Sequence, residues 1–150
     1  MYKPRLNEKN TRYKQGYYVP KNLKKYIGDP NNIMYRSNLE LLCFKYLDNN
    51  SNVLKWGSEI VRVNYYDIST NKQRIYFVDI YAEFINNNNN ITKSIIEIKP
   101  SKQTQPPKNG RYYTKRSNEY IKNSCKWKAA EAYAKTNGMK FLILTEEQLR

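Results

Sequence analysis

The sequence predicts an α/β domain, a mixed central sheet with helices on its two faces, preceded by an extended arm. Three observations carry that prediction. Two segments space their apolar residues with a helical period, and several others are rich in β-branched and aromatic residues. The order along the chain is helix, three strands, a fourth strand ending in charged residues, helix, strand.

Residues 1–32 contain Pro4, Pro20 and the turn Gly28-Asp29-Pro30 with little apolar period, so they read as an extended basic arm that wraps the domain or its ligand. Residues 33–150 then form a single domain. Ser37 opens a helix in which Leu39, Leu42, Cys43, Tyr46 and Leu47 share one face, and Asp48-Asn49-Asn50 ends it. Ser37-Asn38-Leu39-Glu40 matches a capping box in which the glutamate bonds back to the serine amide. Val53 to Trp56, Glu59 to Tyr65 and Arg74 to Phe84 read as strands, the last two joined by the polar turn Asp67 to Lys72. Ile91 to Lys99 reads as nearly all apolar on both faces until Glu97, as expected of a central strand, and Pro100 stops it. Ser101 to Ser117, with Pro106-Pro107 and Gly110, reads as a long functional loop. Asn118 to Asn137 is expected to be helical, with Ile121, Cys125, Ala129 and Ala132 on one face and Gly138 as its C-terminal cap. Lys140 to Leu144 reads as a final buried strand, and Thr145-Glu146-Glu147 caps a last turn.

With 150 residues, the chain is long enough for one core and too short for two. Its mean hydropathy of -0.93 reflects a polar surface, because a hydrophobic fraction of 39% and aromatic content of 14% suffice to fold it. Absence of a long apolar run or a leader sets the expectation of an intracellular protein with no membrane span. Two cysteines far apart, Cys43 and Cys125, exclude a cysteine-based zinc site and both read as buried packing residues. The chain has no histidine, which removes Ser-His and Cys-His nucleophile pairs, histidine-ligated zinc and histidine bases together. A hydrolase built from this chain must use carboxylates, lysine and a metal.

Lys and Arg number 27 against 13 acids, a net charge of +14. Such a balance fits a polyanionic partner. The excess is clustered. Lys3 to Lys25 holds eight basic residues against Glu8, and Lys99 to Lys128 holds nine against Glu119, with tyrosines interleaved in both blocks. Cations for phosphates and rings for bases or sugars is the pattern of a nucleic-acid surface, and a merely solvated basic face is the alternative. From the second block Lys102, Lys108, Arg111, Lys115 and Arg116 are expected to contact nucleic-acid phosphates, together with Arg36 beside the first helix.

Within Ser94 to Pro100, alternation places Glu97 and Lys99 on one face of a strand, a carboxylate beside an ammonium. Asp79 lies inside the apolar run Arg74 to Phe84, where an unpaired charge is costly and needs a reason. Two acids and a lysine on neighbouring strands can hold a divalent metal against a phosphodiester. Asp79 and Glu97 can also be structural ion-pair partners of Lys99 and Arg74, and Glu40 can serve as a cap alone.

Tyr35-Arg36-Ser37 with Glu40, Phe77-Val78-Asp79, and Glu97-Ile98-Lys99-Pro100 together resemble the PD-(D/E)xK, or restriction-endonuclease-like, nuclease superfamily. Within it the chain most resembles the head completion nucleases of T-even-type tailed phages, themselves similar to the end-cleaving subunits of some transposases. Val78-Asp79 stands where the superfamily has proline and aspartate. The resemblance implies a restriction-endonuclease-like fold and a DNA endonuclease using Mg²⁺ or Mn²⁺, with Asp79 and Glu97 as metal ligands, Glu40 as an outer or second-metal ligand and Lys99 orienting the attacking water. It also implies work in phage head completion after DNA packaging, in the host cytoplasm or on the virion. The implied partners are DNA and phage head or connector proteins, and a double-strand cut would draw on a homodimer or two successive nicks. The alternatives are a non-catalytic DNA-binding structural protein of the head or connector, and an RNA-binding module.

Overall fold

The computed structural model describes residues 15–149. Its elements are β1 (Gly16–Tyr17), β2 (Met34–Tyr35), α1 (Asn38–Asn49), β3 (Val53–Asp67), β4 (Lys72–Ile85), β5 (Ile91–Ile98), α2 (Tyr113–Thr136), β6 (Lys140–Leu144) and α3 (Glu146–Leu149), with single 3₁₀ turns at Leu23–Lys25 and Ser101–Thr104. The main sheet has the order β3-β4-β5-β6. Its first three strands are antiparallel, and β6 joins β5 in parallel. A parallel neighbour needs a long crossover, which α2 supplies.

Neighbouring residues of β5 divide the core. Ile96 packs with Cys43, Phe44 and Leu47 of α1 and with Trp56, while Ile95 packs with Val63, Tyr65, Tyr76 and with Ala130 and Ala134 of α2. The helices therefore cover opposite faces of the sheet. The expected mixed sheet flanked by helices is what forms. Among the described residues no helix is long and apolar enough to cross a membrane.

Residues 15–35 lie against this body. Tyr18 and Ile33 enter the core beside Trp56, and β1 pairs with β2. Residues 1–14 lie outside the described residues. Asp48 holds this segment to the end of α1: its buried carboxylate accepts from the Tyr18 hydroxyl at 2.6 Å and the Lys21 and Asn22 amides at 2.7 and 3.1 Å. Lys25 Nζ donates to the Asp48 and Asn50 carbonyls, satisfying acceptors at the C-terminal end of the helix.

Four local expectations are corrected. Val53 to Tyr65 is one strand with an irregularity, not two strands. Ser58 pairs with Ile80 and Val61 with Val78, so Glu59 and Ile60 stand opposite Asp79 alone. Glu59 adopts φ 57 at this bulge, and Gly57 precedes it because a Cβ there would lie 2.8 Å from the Ile27 carbonyl oxygen. Next, α2 begins at Tyr113, five residues before the expected start, so Lys115 and Arg116 are helical. Its inward residues are Ala130 and Ala134, and Ala132 is exposed, because tertiary contact on the sheet selects a different stripe from the apolar count. Finally, β6 is an edge strand with Leu142 exposed. Gly138 does end α2 with φ 67, and Thr145 Oγ1 caps α3 by accepting from the Glu147 amide.

Candidate active site

The registered pairing of β4 with β5 runs from Ile85↔Ile91 to Ile80↔Ile96 and ends there. Asp79 is the next residue of β4. Its carboxylate turns toward β5 and accepts from the Ile98 amide at 2.8 Å, taking the place of a backbone partner where the strands part. On its other edge β5 stays tied to β6, with the Lys99 amide donating to the Leu144 carbonyl. The β3 bulge faces this same residue. Bulges of this kind re-aim side chains.

Glu97 is 4% exposed. It accepts from the Tyr76 hydroxyl and lies 3.6 Å from Lys99 Nζ. Glu40, Asp79, Glu97 and Lys99 line one cavity of about 330 Å³, so the structure brings the four expected catalytic residues together. Burial and then the neighbouring Glu97 raise the Asp79 carboxyl well above the ordinary range, against the Ile98 amide that lowers it. Burial likewise raises Glu40, against the Arg36 amide, with Glu59 and Glu97 adding to the rise. The Cys43 thiol beneath them is pushed up to about 12 by burial, then by Asp79 and Glu40, and is inert packing as expected. Cys125 is half-buried and also free.

Only half of the expected capping box forms. Ser37 Oγ accepts from the Glu40 amide at 3.1 Å, while the Glu40 carboxylate accepts from the Arg36 amide at 2.6 Å instead of the Ser37 amide. That leaves the glutamate on the cavity wall. Arg74, considered as a partner for Asp79 or Glu97, pairs instead with Asp67 at 3.0 Å.

The expected DNA-contacting residues are not gathered at the cavity. Arg36 pairs with Glu59 at 3.2 Å, and Arg111 and Arg116 both lie over the ring of Tyr112. Lys102, Lys108 and Lys115 do not line the cavity either. Two lining residues were given no role at the site by the sequence: Tyr76, which holds Glu97, and Lys126 of α2, whose Nζ lies 5.3 Å from the centre of the Tyr76 ring. Burial lowers the Lys126 pKa, Glu97 opposes that, and Lys99 and Lys122 add to it. Its place on the half of α2 that faces the sheet was the available signal.

The donor set fits a hard divalent cation. Its oxygens are carboxylate only, and Asp79 and Glu40 gain from a positive charge that offsets burial and mutual repulsion. Among the described residues no three acidic or cysteine side chains are already closed into a cation cage. Here the Glu40 and Glu97 oxygens hold the Arg36 amide and the Tyr76 hydroxyl.

Residues 50–146 match the family described as TnsA-like endonuclease N terminal. The chain is also 41% identical over 143 residues to the head completion nuclease of Enterobacteria phage T4, covering 90% of this chain and 93% of that protein. The chain therefore belongs to the TnsA-like endonuclease family, and its fold is restriction-endonuclease-like. Asp79, Glu97 and Lys99 fall inside the matched span, and Glu40 precedes it.

Proposed function

We propose that this member of the TnsA-like endonuclease family is a divalent-metal-dependent DNA endonuclease that acts in phage head completion. The observation that carries the reading is the meeting of Asp79, Glu97 and Lys99 in one cavity where β4 and β5 part. The similarity to a head completion nuclease supports the setting. Residues 33–150 would be the nuclease domain and 1–32 a basic arm. The protein would work in the host cytoplasm on packaged DNA, beside head or connector proteins, with a homodimer as one way to cut both strands.

Asp79 and Glu97 would hold Mg²⁺ or Mn²⁺, with Glu40 as an outer or second ligand. A cation held there would neutralise phosphate charge and lower the pKa of a water molecule. Lys99 keeps its ammonium beside Glu97, where it orients the attacking water and offsets the negative charge that builds on the phosphate. Tyr76 fixes Glu97 by donating to it, so the acid cannot swing away. The water oxygen would bond to phosphorus as the bond from phosphorus to the 3′ oxygen breaks, and one proton of that water would end on the 3′ oxygen, so that the products carry a 5′ phosphate and a 3′ hydroxyl.

The test is nicking and linearisation of plasmid DNA in Mg²⁺ or Mn²⁺, with Asp79→Ala as the control. Wild-type cutting that disappears in the variant is the expected result. Cutting at the wild-type rate by a folded Asp79→Ala protein would refute the site. No cutting by either protein would favour the non-catalytic DNA-binding reading.

A further inference from the structure

The acidic cavity does not end at Lys126. A larger polar groove, about 730 Å³, continues from it between the β3–β4 hairpin and α2. Ile75 and Lys126 line both spaces, so the two share a wall. Beyond them the groove is bounded by Asn64, Gln73, Arg74 and Lys122, none of them acidic. Asp67, to which Arg74 is bonded, is fully buried and taken up by Ser69, Thr70 and Arg74.

That arrangement preorganises a cation. Arg74 gives Nε to Asp67 and Nη2 to Thr70, which fixes the guanidinium and leaves its remaining N–H groups for a ligand. A run of space with carboxylates at one end and Arg74 and Lys122 at the other is polar in charge as well as in shape. Phosphates are repelled from the first end until a cation sits there, and are attracted to the second throughout. Apolar surface adjoins the path: Ile75 and Phe77 are about half-exposed, and Arg62 lies 5.9 Å from the centre of the Phe77 ring. Such surfaces suit sugars and bases.

We propose that this groove seats the phosphates of the cut strand on one side of the scissile bond. Arg74 and Lys122 contact phosphates, Gln73 and Asn64 donate to phosphate or sugar oxygens, and Lys126 stands between the groove and the acids. The inference rests on reading the acidic cavity as the cleavage site. It sets the DNA path along the hairpin and α2, and not along residues 101–116, where Arg111 and Arg116 cluster around Tyr112.

The experiment is a salt titration of binding from 50 to 200 mM, read by fluorescence anisotropy with short duplex and single-stranded oligonucleotides, with Ca²⁺ in place of Mg²⁺ so that binding is read without cleavage. Lys122→Ala should lower the log-log slope by about 0.9 on duplex and about 0.7 on single strands. Binding at the low-salt end should weaken several-fold, and Lys122→Arg should restore both. Thermal melting of each variant checks the fold, and Gln73→Ala, at an exposed position, provides a second probe with weaker binding and an unchanged slope. An unchanged slope in Lys122→Ala, with a reduced one in the Arg111→Ala, Arg116→Ala pair, would overturn the proposal and leave the nuclease reading standing. A slope lowered by Lys122→Ala in a protein that cuts no DNA would keep the groove as a DNA seat and overturn the nuclease reading.

Discussion

Asp48 and Asp79 are both aspartates on core-forming elements, and they are opposite in chemistry. Asp48 is fully buried, yet its carboxyl lies below the ordinary range: burial alone would raise it, and the donors from Tyr18, Lys21 and Asn22 overcome that. Asp79 has one backbone donor and faces two carboxylates, and its carboxyl rises. Burial therefore does not separate an acid that the fold completes from one that it leaves open. What separates them is whether the lone pairs are filled by the fold. Asp48 is complete and fastens the N-terminal segment to α1, while Asp79 is left short of positive partners at a point where a cavity opens.

Exchanging the two side chains' roles is the strongest way to break that contrast. Asp79→Asn should reduce cleavage by roughly 10³-fold, the scale of losing one electrostatic stabiliser. The same change should leave the metal-free protein as stable as wild type or more so, because it removes a poorly compensated charge. Asp48→Ala should do the reverse. It strands three buried or half-buried donors and should cost about 3 kcal/mol in chemical denaturation, with cleavage per folded molecule unchanged. A large stability loss in Asp79→Asn, or lost cleavage in a folded Asp48→Ala protein, would erase the distinction.

Glu40 lies between these extremes, since it both closes the start of α1 and lines the cavity. Glutamine can still accept from the Arg36 amide, so Glu40→Gln should melt within a degree or two of wild type. At limiting metal its cleavage should fall about tenfold, the usual effect of an outer ligand on metal affinity. Equal cleavage at limiting metal would make Glu40 a cap alone.

The smallest effect is on pH. Asp79 and Glu40 have raised folded pKa values, so their charged forms weaken the metal-free protein near pH 7, and protonation relieves that as pH falls through those values. Asp48 is lowered and Asp67 is held down to about 2 by its Ser69, Thr70 and Arg74 donors, so their stabilisation is present at neutral pH. It is lost as pH falls below the ordinary carboxylate range. Thermal stability without metal should therefore rise on mild acidification from pH 7 and then collapse below about pH 4. Asp79→Asn should flatten the rise and leave the collapse, which a pH series of melting curves would resolve.

Much of this was legible without tertiary structure. Helical spacing from Leu39 to Leu47, the apolar runs of β4 and β5, the stop at Pro100 and the cap at Gly138 are local patterns that few conformations satisfy. Composition alone excluded histidine chemistry, and the order of Asp79, Glu97 and Lys99 pointed to the acids and lysine that meet in the cavity. Tertiary structure decided the rest, because its causes are contacts between distant residues. The β3 bulge opposite Asp79 follows Gly57, which lies too close to the Ile27 carbonyl to carry a Cβ. The donors of Asp48 come from a segment 26 to 30 residues earlier. Lys126 reaches the site because the crossover between parallel strands lays α2 across the sheet, and Arg74 turns to Asp67 because Asp67 lies opposite the neighbouring Lys72 in the hairpin. A period of two or 3.6 residues records which face turns inward; which charges then lack a partner is settled only when the faces meet.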